Sequence, residues 1–392
     1  MSTGCSGDDA SAPLPDAPST IINAVDVPLD GLSSDDVAKF NDGDEQFGLP
    51  FRPADGQGPL FIRSSCAACH AEAKRGPGLV QKMVVVDTDG QTPLLDQSAL
   101  TFGHTIRKGL AAGAMTPIDA PMGVNVKTSI RIGPPVPGRG YIEAIADSEI
   151  ERVAAEQAQR TDGIHGVINR VVFQSVPNPD TTYGTLHTGD TVIGRFGMKA
   201  RIATVDEFTA DAFQGDMGMT TPMRPTELPN PDNLTDDQRP GVDLPQDKVD
   251  RVAFYVRHIA IPKRVGLTDR GSALFEAAAC SACHVPAMHT RADYPITQLA
   301  DIDAPVYSDL LLHDMGAELA DGMVETNATG SMWKTTALIG LRFYTSFMHD
   351  GRAHDVAEAI KAHGGEASGS LTAFSTMSPD DQQALIQFVE AL

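Results

Sequence analysis

Two pentapeptides carry the strongest chemical signal in the chain, CAACH at residues 66–70 and CSACH at residues 280–284. C-x-x-C-H is the pattern to which haem is attached covalently: two thiols add to the vinyl groups of one porphyrin, and the adjacent imidazole coordinates the iron. The spacing presents both sulfurs to one porphyrin edge while the histidine turns under the ring. Cys66, Cys69 and His70 would hold one haem c, and Cys280, Cys283 and His284 a second. The competing reading is zinc, but a four-ligand zinc site normally finds its second ligand pair within tens of residues. These motifs lie more than two hundred residues apart. Of the five cysteines only Cys5 stands outside them, so this is cofactor attachment and not a disulfide framework.

An iron bound from below has a sixth position to fill or leave open, and KAHGGEA at 361–367 puts His363 before a Gly-Gly break. Taken alone, His363 reads as the end of a helix. An internal repeat adds to this. FGMKARIATVDEFTADAFQGDMGM (196–219) aligns with FMHDGRAHDVAEAIKAHGG (347–365), Val205 on Val356 and Glu207 on Glu358. Ala212 or Phe213 then falls opposite His363, so the two iron environments differ. His349, in FMHDGR, reads as a hydrogen-bonding residue near the C-terminal haem, with Arg352 pairing a haem propionate. A turn fixed by Asp350 and Gly351 is equally compatible. His313, after an apolar run, reads as a satisfied structural histidine rather than a ligand. No motif lifts His104, His165, His187, His258, His289 or His354 above surface or core residues, although one of them could cap the first haem, as could Met217 or Met219.

The elements that would position these groups are helical. Thr268 can cap a short helix running through Leu274 and Phe275 into the second motif. The chain closes on a helix with Ser378 as N-cap, Pro379 at its first position and Leu385, Phe388, Val389 and Leu392 on one face. Residues 247–260 are the first-half counterpart, with Val249, Val252, Ala253 and Val256 aligned, and Pro262 and Gly266 mark a linker. The expected fold is mainly α, with two tandem class I cytochrome c-like domains. The first is enlarged by an insertion with some β-structure, strands at 83–87 and 169–173 and a helix over 142–157. The expected boundaries are a flexible tether over 1–32, an N-terminal haem domain over 33–262 and a C-terminal haem domain over 263–392.

With 392 residues and a formal charge of −22, the chain disfavours nucleic acid and anionic membranes and suits basic partners or a salty medium. No apolar stretch is long enough to span a bilayer. The first twenty residues, MSTGCSGDDASAPLPDAPST, read as a tether. Gly4-Cys5 resembles the end of a bacterial lipoprotein signal, which would make Cys5 a lipid anchor. Against this, Ser2 is weak for its position and the apolar region is missing. Haem attachment of this kind is extracytoplasmic in bacteria, so the expected location is the periplasm or outer cell surface, with or without a lipid tether.

These segments resemble a known family, the bacterial di-haem oxidoreductases of peroxidase type, relatives of di-haem cytochrome c peroxidases and of the di-haem maturase of methylamine dehydrogenase. The carrying stretches are DGQGPLFIRSSCAACHAEAKRGPG, PPVPGRGYIEAIAD, GRFGMKA, AFQGDMGMTTP, YSDLLLHDMGAELAD, MWKTTALIGLR, FMHDGRA and AIKAHGGEA, covering most of residues 45–392. The resemblance implies one six-coordinate haem that passes electrons and one whose open face meets peroxide. It implies His363 as the sixth ligand of the C-terminal haem, about fourteen residues past the HDG of FMHDGR. It also makes Asp216, in Asp216-Met217-Gly218-Met219, the counterpart of a catalytic acid that relatives carry as Glu in a Glu-Met-x-Met context. Arg195, Lys199 or Arg201 could add positive charge there. Where close relatives place an inter-haem tryptophan, this chain has Met198, and its only tryptophan is Trp333. Related peroxidases also hold Ca2+ between the haem domains, on backbone oxygens that leave little sequence trace.

The leading expectation is therefore a peroxidase taking electrons at the C-terminal haem, from a small basic cytochrome c or cupredoxin, and reducing H2O2 at the N-terminal haem. A maturase-like enzyme oxidising a protein substrate and a non-enzymatic electron carrier are the alternatives.

Overall fold

The computed structural model describes residues 25–111, 113–235 and 241–392, so Cys5 and most of the expected tether lie outside the described residues. In the first half, α1 (Ser34–Gly48) leads into the CAACH loop. Strands β1 (Leu60–Phe61), β2 (Leu79–Val85), β3 (Gly109–Leu110) and β4 (Val126–Ile132) follow, paired β1 with β3 and β2 with β4, all antiparallel. Next come α2 (Arg139–Ala144), α3 (Asp147–Gln157), the hairpin β5 (Arg170–Val172) and β6 (Thr191–Ile193), then α4 (Val205–Met217) and α5 (Gln246–His258). The second half runs α6 (Asp269–Ala277), the pairs β7 (Met288–His289) with β8 (Asp303–Ala304) and β9 (Leu312–Asp314) with β10 (Met332–Lys334), then α7 (Val356–Lys361), α8 (Ser368–Thr376) and α9 (Pro379–Glu390).

Helix accounts for 32% and strand for 15%, which makes the fold a mixture of helices and small two-stranded sheets rather than mainly α. The sequence places strands only in the first-half insertion, yet β7 to β10 belong to the second half. They form where that half meets the first: Thr290 bridges to Ile145, and Leu312 exchanges both backbone hydrogen bonds with Val167 at 2.9 Å. The Ile145 bridge also breaks the helix expected over 142–157. Ile145 and Ala146 are extended, and the Ala146 N–H donates to the His289 carbonyl at 3.2 Å.

The helices expected around the motifs form with their caps. Thr268 accepts from the Gly271 N–H, and Ser378 accepts from the Asp381 N–H with Pro379 at the first turn. The internal repeat is visible as matched helix starts: Thr204 accepts from Glu207 N–H at the head of α4, and Asp355 from Glu358 N–H at the head of α7. Each half also closes its motif under a crossing pair of helices, α1 on α5 and α6 on α9. Glycine sets both crossings. A Cβ on Gly43 would lie 2.6 Å from Tyr255 Cβ, and one on Gly271 would lie 3.0 Å from the Ala384 carbonyl oxygen.

The largest apolar cores among the described residues follow from this layout. One surrounds the first motif, with Phe47, Phe51, Phe213, Met217, Val252 and Tyr255. Another surrounds the second, with Phe275, Tyr307, Val356, Phe374, Leu385 and Phe388. The third is shared, uniting Tyr141, Ile150 and Phe196 of the first half with Met288, Leu311 and Ile339 of the second. The division at 262/263 therefore separates sequence repeats that share an interior. No helix among the described residues is long and apolar enough to cross a membrane.

Candidate functional site

The second motif sits in a tight turn after α6, where Ala279 takes a left-handed conformation and Cys280–Ala282 form a short 3-10 turn. This aims the ring of His284 inward. Its Nδ1–H donates to the Tyr307 carbonyl at 3.1 Å, leaving Nε2 as the free ring nitrogen. His363 is prepared in the same way, with Nδ1–H donating to the Ala359 carbonyl at 2.7 Å. The two rings face one another with centres 6.5 Å apart and planes at 58°. Together with Cys280 and Cys283 they line a cavity of about 240 Å³. Two imidazoles on opposite sides of one metal, at bonds of about 2 Å each, hold their ring centres about 6 Å apart. The residues present therefore fit a haem iron between His284 and His363. Burial pushes His284 down to about 4 and lowers His363 as well, which keeps both in the neutral form that ligates metal.

The rest of KAHGGEA is also committed. Gly365 has φ 55 and lies against β9, where a side chain would strike the backbone of Asp314 and Gly316. Glu366 accepts from the Asp314 N–H at 3.0 Å and from His313 Nδ1 at 2.8 Å, while His313 Nε2 donates to Asp309 at 2.8 Å. Burial alone would lower the His313 pKa, but these two carboxylates and the Cys283 sulfur carry it up to about 12, so it is an imidazolium. His313 is thus the structural residue its sequence context suggested. Cys283, Asp309 and His313 bring ligand-type atoms within metal-binding distance, but both ring nitrogens of His313 are already bonded.

His349 and Arg352 part company. His349 lines the cavity and stacks on Trp333, ring centres 3.9 Å apart at 16°. Arg352 bonds Asp350 through Nε at 2.8 Å and the Glu318 carbonyl through a terminal nitrogen at 2.8 Å, and it is not among the cavity-lining residues. Its guanidinium holds the turn, the second of the two readings the sequence allowed. Trp333, distant from position 198 in sequence, is brought beside it: the Lys334 N–H donates to the Met198 carbonyl at 2.9 Å, and Met198 and Trp333 line the same cavity.

At the first motif, Cys69 is buried and Cys66 half-buried. A Cβ on Gly133 would lie 2.7 Å from the Cys69 carbonyl oxygen and 3.2 Å from His70 Cε1, so a bare backbone is needed beside this histidine. His70 Nδ1 is buried without a hydrogen-bond partner; the Pro134 carbonyl acts on it but does not reach bonding geometry. Burial pushes His70 down to about 4. The fit to a haem here rests on the donor set of two thiols and a neutral imidazole.

No histidine faces His70 from α4, as the repeat implied. The repeat sets Ala212 or Phe213 against His363, and Phe213 packs edge-on against Phe51 in the core around the first motif, ring centres 5.9 Å apart. One turn further on, Asp216 lies in the last turn of α4, its carbonyl accepting from the N–H groups of Ile62 and Arg63 at 2.7 and 3.1 Å. Burial raises both thiols, Cys66 to about 12 and Cys69 to about 11, and the Asp216 carboxylate is the next contributor to each. Asp216 is itself raised by burial, against the pull of Lys82, Arg201 and Arg107. Of the three cations considered from sequence, only Arg201 acts on Asp216. Arg195 bonds Asp147 at 2.6 Å, and Lys199 is enclosed by the carbonyls of Thr329 and Met332 at 2.7 and 3.0 Å. Lys82 went unnoticed because it lies in a strand outside every motif.

A family profile described as "Di-haem oxidoreductase, putative peroxidase" matches residues 122–392, more than half of the chain. The chain belongs to this family. Membership implies haem cofactors, and the matched span includes the second motif, the His363 segment and Asp216, while CAACH lies just before it. No curated protein matches the chain. Among solved structures, the hydrazine synthase of Kuenenia stuttgartiensis aligns over 100% of both chains at 13% identity and a TM-score of 0.41. The diheme peroxidase BthA of Burkholderia thailandensis aligns over 97% of this chain and 94% of its own at 15% identity and a TM-score of 0.38. Nothing about mechanism carries over at these scores.

Proposed function

We propose that this di-haem oxidoreductase is a peroxidase acting outside the cytoplasm, with one covalent haem c at each C-x-x-C-H motif. Electrons enter at the C-terminal site, held by His284 and His363, and H2O2 is reduced at the N-terminal site, held by His70. The observation that carries this reading is the asymmetry of the two sites. One is lined by two histidines, and at the other α4 carries no histidine, with Phe213 packed in the core around Cys66 and the Asp216 carboxylate acting on both thiols.

When bound, the haems supply the iron and the two electrons needed for H2O2 + 2e⁻ + 2H⁺ → 2H2O. The chain supplies the proton handling. The Asp216 carboxylate takes the proton from one peroxide oxygen and returns it to the other, which departs as water. Its raised pKa suits both halves of that exchange, since a carboxyl nearer the working pH gives and takes a proton more readily. Lys82, Arg201 and Arg107 pull the other way and limit that rise. The strongly acidic chain favours a basic donor, a small cytochrome c or cupredoxin, docked weakly and with salt sensitivity.

One observation favours a second enzymatic reading. Two facing imidazoles give a lower potential than a His/Met pair, so the pair His284 and His363 weakens the C-terminal site as a high-potential donor. In the maturase-like alternative both haems share oxidising equivalents and the substrate is another protein. Electron paramagnetic resonance of the ferric protein, before and after H2O2, separates these enzymes from a plain electron carrier. A high-spin signal lost on adding peroxide is expected; two low-spin signals indifferent to peroxide would reject the enzyme reading.

A further inference from the structure

The cavity between His284 and His363 is lined by three cations without counterions. Arg75, Arg139 and Lys334 all face it, and none makes an ion pair among the described residues. Arg75 has two buried nitrogens, Nε and a terminal one, with no hydrogen-bond partner at all. Arg139 bonds only the Pro135 carbonyl. The Tyr344 hydroxyl, on the same wall, is buried and unpartnered. These groups sense one another: Arg139 and Arg75 both act on Tyr344, and Arg139 acts on Lys334. Asp350, the carboxylate that acts on Arg75, is bonded to Arg352. Several buried cations with idle donors around one cavity call for an anion of matching charge.

We propose that Arg75, Arg139 and Lys334, with the Tyr344 hydroxyl, bind the two carboxylates of the haem carried by Cys280 and Cys283. This rests on reading the His284–His363 cavity as a haem site. Two of the three cations belong to the first half of the chain, so the first half completes the second half's site. Arg75 lies five residues beyond His70 in the loop after the first motif. A single short loop therefore carries the iron ligand of one centre and a carboxylate clamp of the other. A bidentate guanidinium is suited to a carboxylate in this role.

The test is potentiometric titration of the full-length di-haem protein, following the low-spin haem by its spectrum. Removing a neighbouring positive charge favours the ferric state, so Arg75→Gln and Arg139→Gln should each lower the midpoint potential of the low-spin haem and move the other haem less. Two haems per chain and the low-spin signal should persist, and Arg75→Lys should restore most of the shift. An unchanged low-spin potential in both glutamine variants, with haem content intact, overturns the proposal. If either fails to accumulate, Lys334→Met and Tyr344→Phe are read in the same way: a downward shift supports the clamp, and no shift in both overturns it. A failure of the underlying site reading looks different, because the wild-type protein would then lack a low-spin signal that His363→Ala abolishes.

Discussion

His363 directly follows the C-cap of α7 and also faces His284 across the cavity, so one residue meets the needs of both a helix terminus and the proposed iron ligand. The carbonyl of Ala359 takes its Nδ1–H and so fixes which nitrogen faces the cavity. His363→Ala should turn one low-spin haem high-spin in absorption and electron paramagnetic resonance spectra while both haems stay attached; unchanged spectra would remove His363 from the iron. Asp216→Asn should slow peroxide consumption by about 10²-fold or more. The pH profile gives a sharper reading. Burial places the Asp216 pKa above its ordinary 3.8, so activity needing the carboxylate form falls as pH drops through that raised value. That acid limb should vanish in the asparagine variant, and a limb that persists would assign it to another group. At this scale the sequence was legible where chemistry fixes spacing, as in the two pentapeptides. It was silent on Lys82, Arg75, Arg139 and Lys334, whose roles depend on burial in places no local pattern marks.

At the scale of elements, the repeat was legible because caps and apolar faces are local. Thr268, Ser378 and the shared Val-x-Glu start of α4 and α7 all lie within one helical turn of the structure they dictate. The helix over 142–157 divided for the opposite reason, since Ile145 bridges to Thr290, distant in sequence. The second-half strands likewise pair across intervening loops, β7 with β8 and β9 with β10, where no local pattern marks the partner. Helix α1 also escaped notice, although Ser33 before an acidic first turn, with Phe40 and Phe47 on one face, could have revealed it. The helix crossings make a concrete prediction. Gly271→Ala would drive a methyl into Phe388 and the Ala384 carbonyl of α9 and should destabilise the protein by about 1–3 kcal/mol. Gly369→Ala in α8, where a Cβ meets nothing within 4 Å, is the control and should be neutral or slightly stabilising in thermal unfolding. Equal losses in both would mean that the crossing is not glycine-dependent.

Across the whole molecule, the two halves are bound by polar as well as apolar links. Gln157, from the first half, donates to Asp309 and to the Ala282 carbonyl at 2.8 Å each, and Asp309 in turn holds His313 against Glu366. The His313 pKa is raised from 6.5 on folding, so its contribution is full below that pH and wanes as pH rises toward 12. The Glu366 pKa is lowered from 4.5, so its contribution is full above that pH and is lost in acid. His313→Gln should therefore cost most between the two unfolded values, about 3–5 kcal/mol, and less at pH 9. A loss independent of pH would show that packing rather than charge is at work. The segment from Gly133 to Arg139 adds a mechanical side to this union. Gly133 and Pro134 crowd His70, while Pro134, Pro135 and Arg139 form part of the wall of the other cavity. Close-packed interiors transmit displacement instead of absorbing it. The two C-x-x-C-H sites thus share one stiff partition, and if each holds its haem as proposed, a ligand taken up at the His70 site should leave a measurable imprint on the spectrum of its neighbour.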